Sequence, residues 1–200
     1  QNLAGVSTFY VVASADSTDI MREGDVLQGI EKLQRYMEAK PSIDKATSMV
    51  NIIQLWHQAL SADHPDSFKV PASQRDLDAA VFLTIDQEEP RIRAHYVVED
   101  YSSLAVFARS QLVSTTELSE TIADVENYAR DVLPPFVDVQ ATGTVVIFAK
   151  MIDAVITGQR DSLLLAFGLI FVIMSILFRS MRVGLISMIS NIVPIFVIFG

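Results

Sequence analysis

Between residues 24 and 40, apolar side chains recur at Val26, Ile30, Leu33 and Met37, with Glu31, Lys32, Arg35 and Glu38 at the positions between. Steps of four, three and four match the turn of an amphipathic helix, and Pro41 closes it. On either side the pattern changes. Residues 7–13 are rich in β-branched and aromatic side chains over a strand's length, and residues 43–48 can return as a second strand. The same order repeats later. Ile92, Ala94, Tyr96 and Val98 alternate along residues 91–98, which predicts a half-buried strand. Leu118, Ile122, Val125 and Ala129 then predict a helix, with Ser114 and Glu117 spaced as a capping box and Pro134 and Pro135 at its end. Residues 136–141 supply a further strand. Between the two strand–helix–strand units, residues 49–87 have helical spacing. Ile52, Ile53, Trp56 and Leu60 are expected on one face, Pro65 and Pro71 interrupt, and Leu77, Val81 and Ile85 line a second face. The fold class that follows is α+β: right-handed crossovers merge the units into one four-stranded sheet of the split βαβ, ferredoxin-like kind, with residues 49–87 as a helical insertion.

The last part of the chain follows a different rule. After Gly143, helical spacing resumes at Val145, Phe148, Ile152 and Val155, so residues 143–161 are expected to form a connecting helix. Residues 162–178 are 17 consecutive positions without a charge, residues 183–200 are a second such run, and Arg179 and Arg182 lie between them. At about 1.5 Å per residue, each run nearly matches a hydrocarbon core of about 30 Å. Leu, Ile, Phe and Val each favour insertion by about 0.3–0.6 kcal/mol, against about 2.5–3.5 kcal/mol for a central Arg. These terms favour a transmembrane α-helical hairpin, with residues 179–182 as its turn, over a buried hairpin of a soluble protein. Short loops carrying Arg stay on the cytoplasmic side, which places residues 1–161 outside. No leader is visible before this exported part, so a further membrane helix is expected upstream of Gln1, and the chain reads as a fragment of a longer protein.

Charge adds to this division. The chain of 200 residues has 24 acidic and 15 basic side chains, and all the acidic ones lie at or before Asp161. A net charge of −9 disfavours nucleic acid as a partner. With no cysteine there is no disulfide, thiolate metal site or Cys nucleophile. His57, His64 and His95 fall on three separate elements and are expected to be surface or packing residues. Asp63, His64 and Asp66 crowd one loop, where a solvated turn is the stronger reading than a cation site. No glycine-rich phosphate loop or nucleophile motif occurs, so no enzyme activity, cofactor or metal is expected. Tyr36, Trp56, Phe68 and Phe82 could line an apolar pocket, although core packing is their commoner use. Among Ser175, Ser187, Ser190, Asn191 and Pro194 the second hydrophobic run has most of its polar or helix-breaking positions, so it should face protein. Neither run contains Asp, Glu, Lys or His, the groups that relay protons.

Taken together, several of these residues resemble the RND superfamily of membrane exporters. The carriers of the likeness are Gly158-Gln159 before Ser162-Leu163, Phe178-Arg179-Ser180 with Arg182, Gly184-Leu185, and Asn191 three residues before Pro194. Upstream, Gly143 after a strand, the helix-rich stretch around Ser48 and Pro71, and Arg91-Ile92-Arg93 are similar to the exported loop of the same group. The likeness covers nearly the whole chain. It is greatest to the MMPL and hopanoid-exporter branch, related to sterol-sensing-domain proteins, and to the second half of such exporters more than the first.

The resemblance implies a proton-driven pump in the bacterial inner membrane that moves lipids or other hydrophobic and amphiphilic compounds. Residues 1–142 would be a porter-like domain on the substrate path. Its partners would be the bilayer, the substrate, the remaining helices of the parent transporter and, as an open alternative, identical copies. Arg179, Ser180 and Arg182 would fix the cytoplasmic turn, Asn191 and Pro194 would shape the following helix, Gly143 would permit the strand-to-helix junction, and Gly158-Gln159 would lead into the bilayer. Proton-relay residues would lie outside these positions. The competing class is a membrane-anchored module that binds or senses a lipid or a partner without transport.

Overall fold

The structure, a computed structural model, describes residues 7–62, 64–87, 94–111, 114–182 and 184–186. In chain order the elements are β1 (Ser7–Ser14), α1 (Gly24–Glu38), β2 (Ile43–Thr47), α2 (Met49–Leu60), α3 (Gln74–Gln87), β3 (Ser103–Ser110), α4 (Thr115–Val132), β4 (Asp138–Thr142) and α5 (Thr144–Leu177). Short 3-10 turns occupy Ile20–Arg22 and Pro65–Ser67. The chain divides into a unit of residues 1–150 and a second of residues 151–200.

The first unit is a mixed α/β domain on a four-stranded sheet in the order β2-β3-β1-β4, with every neighbouring pair antiparallel. β1 is flanked on both sides: Val11 is opposite Val106 of β3 and Ala141 of β4. Successive strands β1 and β2 are not neighbours, because β3 lies between them, and β1 separates β3 from β4. Phe9, Val11, Ala13, Leu104, Val106, Ala108, Val139 and Ala141 are buried at alternate positions, as the two-residue period of a strand requires. They share one core with Val26, Leu27, Ile30, Leu33 and Met37 of α1 and with Leu118, Ile122, Val125 and Ala129 of α4.

The third strand is not where alternation pointed. Of residues 91–98, positions 91–93 lie outside the described residues, residues 94–96 are helical, and Val97 makes one isolated bridge to Leu104. Val97 is buried and Val98 is exposed, the reverse of the expected phase. The chain turns at residues 98–101, where the Tyr101 N–H donates to the Val98 carbonyl at 3.1 Å and Asp100 accepts from both the N–H and the hydroxyl of Ser102. β3 follows as Ser103–Ser110. Its stretch Leu104-Ala105-Val106-Phe107-Ala108 is continuously apolar, so the sequence shows no alternation although the burial does: Leu104, Val106 and Ala108 are buried, while Ala105 and Phe107 on the other face are half-buried, the Phe107 ring lying against Tyr10, His95 and Tyr96.

Other boundaries move for local reasons. β4 starts at Asp138, since the Val137 N–H donates to the Pro134 carbonyl and closes a turn that leaves Phe136 exposed. α2 is rotated from the expected face. Met49, Val50, Ile53 and Gln54 are buried, Trp56 is half-buried, and Leu55 and Leu60 are exposed. α3 buries Leu77, Ala80, Val81 and Thr84, whose hydroxyl donates back to the Ala80 carbonyl at 2.8 Å.

α1 and α4 approach closely at Gly29. A Cβ there would lie 2.7 Å from Leu133 Cδ2 and 2.9 Å from the Val132 carbonyl oxygen, and the latter is backbone that cannot swing away. Gly29→Ala is therefore expected to destabilise the domain by about 1–3 kcal/mol despite the higher helix propensity of alanine. Gly158→Ala, where nothing lies within 4 Å, is the matched control and should be tolerated. Chemical denaturation of the two variants followed by circular dichroism separates these outcomes.

Candidate functional site

α5 begins at a junction that needs glycine. Gly143 has φ +121°, and a Cβ there would approach the Phe9 Cα and the Tyr10 Cδ2 to 3.3 Å. From Thr144 the helix runs 34 residues, about 51 Å at 1.5 Å per residue, and within it the charge-free stretch starts after Asp161. It is long and apolar enough to cross a membrane. Leu164, Leu165, Leu169 and Ile176 are each at least 60% exposed, while Phe171 and Ser175, on the side that meets Gly184, are half-buried. Gly158 and Gln159 are exposed positions within it, just before the adjacent ion pair Arg160–Asp161 at 3.2 Å.

Its C-terminal end has a complete hydrogen-bonded cap. The Arg179 N–H donates to the Ile176 carbonyl at 3.2 Å and the Ser180 N–H to the Ser175 carbonyl at 3.1 Å, the six-to-one and five-to-two pair of a Schellman motif. The left-handed position belongs to Arg179, with φ 50°, where glycine is usual. Helical residues resume at Met181, and the Ser180 carbonyl accepts from the Gly184 N–H at 3.1 Å. Arg182 is exposed on the following turn. Gly184 packs against the preceding helix so tightly that a Cβ would overlap Ser175 Oγ, a hydroxyl that is buried and has no hydrogen-bond partner among the described residues. Ser187, Ser190, Asn191 and Pro194 lie outside the described residues.

Within the first unit, a buried polar network joins α1 to α2. Glu31 accepts from Arg35 at 2.5 Å, from Gln54 Nε2 at 3.1 Å and from the Val70 N–H at 3.3 Å. Gln34 donates to Asn51 Oδ1 at 2.9 Å and to the Ala46 carbonyl at 3.2 Å, and accepts from the Ser48 hydroxyl at 2.9 Å. Ser48 and Asn51 form a full capping box on α2. This explains the rotation of that helix: Gln54 and Asn51 have to face α1 to satisfy groups that burial would otherwise leave unpaired. A cavity of about 120 Å³ beside the network is lined by Glu31, Arg35, Glu38, Lys45 and Phe68 among others.

The four aromatic residues considered for an apolar pocket are not assembled into one. Phe68 borders that charged cavity, Phe82 is 64% exposed, and Trp56 is half-buried. Tyr36 instead stacks on Tyr128 of α4, with ring centroids 3.8 Å apart. Its hydroxyl donates to Asp124 Oδ2 at 2.8 Å, and Lys40 pairs with the same oxygen while lying over the Tyr36 ring. The hydrogen bonds from Lys40 and Tyr36 hold the Asp124 carboxyl below its ordinary value, and those with Asp124 and Tyr36 raise the Lys40 ammonium above its own. No spacing rule finds this cluster, since 88 positions separate Tyr36 from Asp124.

The histidines are dispersed. His57 Nδ1 lies 2.9 Å from the Lys69 carbonyl, His95 stacks on Phe107, and His64 sits 3.8 Å from Asp66 on an exposed turn. Asp63 lies outside the described residues. No group of three potential metal ligands occurs among those described.

Comparison with known proteins gives one family. A model described as the MMPL family matches residues 8–200, nearly the whole chain. No curated protein matches.

The Asp124 cluster fixes a pH response. A lowered carboxyl contributes stability above its unfolded value of about 3.8 and loses it as pH falls through the still lower folded value. The raised Lys40 contributes below 10.5 and loses its contribution as pH rises through the higher folded value. The α1–α4 contact should thus be insensitive to pH between these limits. Carboxyl titration by NMR should find Asp124 shifted down, and Lys40→Met should return it towards the ordinary range.

Proposed function

Since the chain belongs to the MMPL family of RND-type membrane transporters, we propose that it forms part of a proton-driven exporter of lipids or other hydrophobic and amphiphilic compounds. The observation that carries this reading is the charge-free half of α5, with Leu164, Leu165, Leu169 and Ile176 exposed along it, in a stretch matched by the family. Such a surface requires hydrocarbon or other membrane helices as its solvent. Residues 162–178 and 183–200 would make the two passes, with the capped turn at Arg179 and Arg182 on the cytoplasmic side. Residues 1–161 would stand outside the inner membrane of a bacterium. The strand order β2-β3-β1-β4 with its two β-α-β units supports the split βαβ, ferredoxin-like assignment for the exported domain. That domain would carry the substrate path, with residues 49–87 as an insertion.

Proton coupling would depend on groups other than those of residues 162–200, which hold no Asp, Glu, Lys or His. We assign α5 the transmission of movement, because its hydrogen-bond ladder is continuous from Thr144 to Leu177 and Gly158 is an unencumbered position within it. The hopanoid-exporter and sterol-sensing branches remain the source of the substrate assignment.

The cysteine-free sequence allows a direct test. Gln140→Cys should react with a membrane-impermeant maleimide in spheroplasts, whereas Arg182→Cys should react only after permeabilisation. The reverse pattern, or recovery of the protein without membranes, defeats the topology and the exporter reading with it. In the full transporter, Gly158→Pro should lower the export rate at least tenfold with membrane insertion retained, because proline removes a helix hydrogen bond and costs about 3 kcal/mol in a helix interior. Unchanged export would remove α5 from the mechanism.

A further inference from the structure

Among the described residues the sheet ends at β2 and at β4, and at both edges side chains from a helix packed on the sheet occupy backbone groups that another strand would use. In an antiparallel ladder, every second residue of an edge strand turns its N–H and C=O outward, which makes the edge a template for a further strand. On β4 Val139 and Ala141 are in the outward phase, and the N–H that a side chain occupies is that of Ala141, opposite Val11 of β1. It donates to Glu126 Oε1 of α4 at 2.8 Å. The Glu126 side chain is largely buried at 18% exposure, with Arg130 3.9 Å away on the next turn.

On β2 the corresponding residue is Ala46, opposite Ala108 of β3. Both of its backbone groups are occupied from α1. The N–H donates to Glu38 Oε1 at 3.2 Å, and the carbonyl accepts from Gln34 Nε2 at 3.2 Å. The register also shifts between Ile43 and Lys45, which interrupts the edge one residue earlier. The extra residue, Asp44, is tied by Gln111 Nε2 at 2.9 Å and faces Arg109 at 3.8 Å.

We propose that Glu126 and the pair Glu38–Gln34 are edge guards, which keep β4 and β2 from pairing with the same edge of a second copy of this chain. The partner they exclude is defined by geometry. An identical copy presents an identical outward ladder, and its density is greatest where many copies share one membrane. An edge strand of five residues with alternating small and polar side chains, as in Asp138–Thr142, has no bulky side chain to block approach, so the hydrogen-bond acceptor itself is the obstacle. The inference concerns residues that the export reading leaves unused, and it stands or falls independently of transport.

The test uses the full chain in detergent micelles and compares loss of the acceptor with loss of the charge alone. Glu126→Ala should speed hydrogen exchange at the Ala141 amide at least tenfold. It should also convert the parent species into larger, concentration-dependent assemblies by light scattering, with new intermolecular sheet in the infrared amide band. Glu126→Gln, whose amide oxygen can still accept from Ala141, should retain both the protection and the parent size. Glu38→Ala and Glu38→Gln repeat the comparison at Ala46 and decide the matter if Glu126→Ala does not fold. Unchanged exchange and size in the alanine variants, or equal association in the alanine and glutamine variants, overturns the proposal.

Discussion

Seventeen residues in succession without a charge, all but the last in a helix that leaves Leu164, Leu165, Leu169 and Ile176 exposed, must be solvated by something other than water. The hydrogen bonds of the helix satisfy its own backbone, so the remaining demand is for apolar contact along the sides that Gly184 leaves exposed. The features at its lower end follow from the same demand. Where the helix stops, the carbonyls of Ser175 and Ile176 are taken by the N–H groups of Ser180 and Arg179, which leaves fewer polar groups to desolvate. Arg179 accepts a left-handed backbone to make this possible, a conformation that glycine would adopt without strain. An arginine here keeps a positive charge at the turn, which glycine would not.

The domain ahead of this helix meets a different constraint. Its sheet is covered by α1 and α4, and the α2–α3 pair is attached to that layer through polar groups as well as apolar ones. Burying Glu31, Gln34, Gln54 and Ser48 would be costly if any of them lacked partners. Each has them, and the partners come from α1, β2, α2 and the segment at Val70. A network of this kind specifies one arrangement of the α2 helix on α1, because a rotated α2 would strand several donors at once. The same helix α1 also supplies Gln34 and Glu38 to the outer strand, so joint and sheet edge are built from one face of one helix.

Legibility differed from residue to residue. Val26, Ile30, Leu33 and Met37 are all buried on α1 as their spacing requires, and Leu118, Ile122, Val125 and Ala129 are buried on α4. Ser114 caps α4 by accepting from the Glu117 N–H. The reciprocal box is at Ser48 and Asn51, where asparagine stands in place of the usual Glu or Gln and gives no familiar signal. The interior strand Ser103–Ser110 shows no alternation in the sequence because Ala105 and Phe107 on its half-buried face are also apolar, whereas Ala94, Tyr96 and Val98 alternate without forming the strand that their spacing suggests.

The sequence by itself determined what depends on neighbours in the chain: the division at Asp161 between an acidic part and one whose only charges are Arg179 and Arg182, the two amphipathic helices, and the glycine and arginine positions around α5. Periodicity and charge density record how contiguous residues meet their solvent, so such features survive without knowledge of the fold. Only the tertiary structure decided the strand order, the rotation of α2, the Tyr36–Asp124 cluster and the glutamates on the sheet edges. Those depend on bonds such as that from the Val70 N–H to Glu31, 39 positions away, and from Ala141 to Glu126. A hydrogen bond between distant residues leaves no period in the chain, because its two ends are brought together by the packing of elements that lie between them.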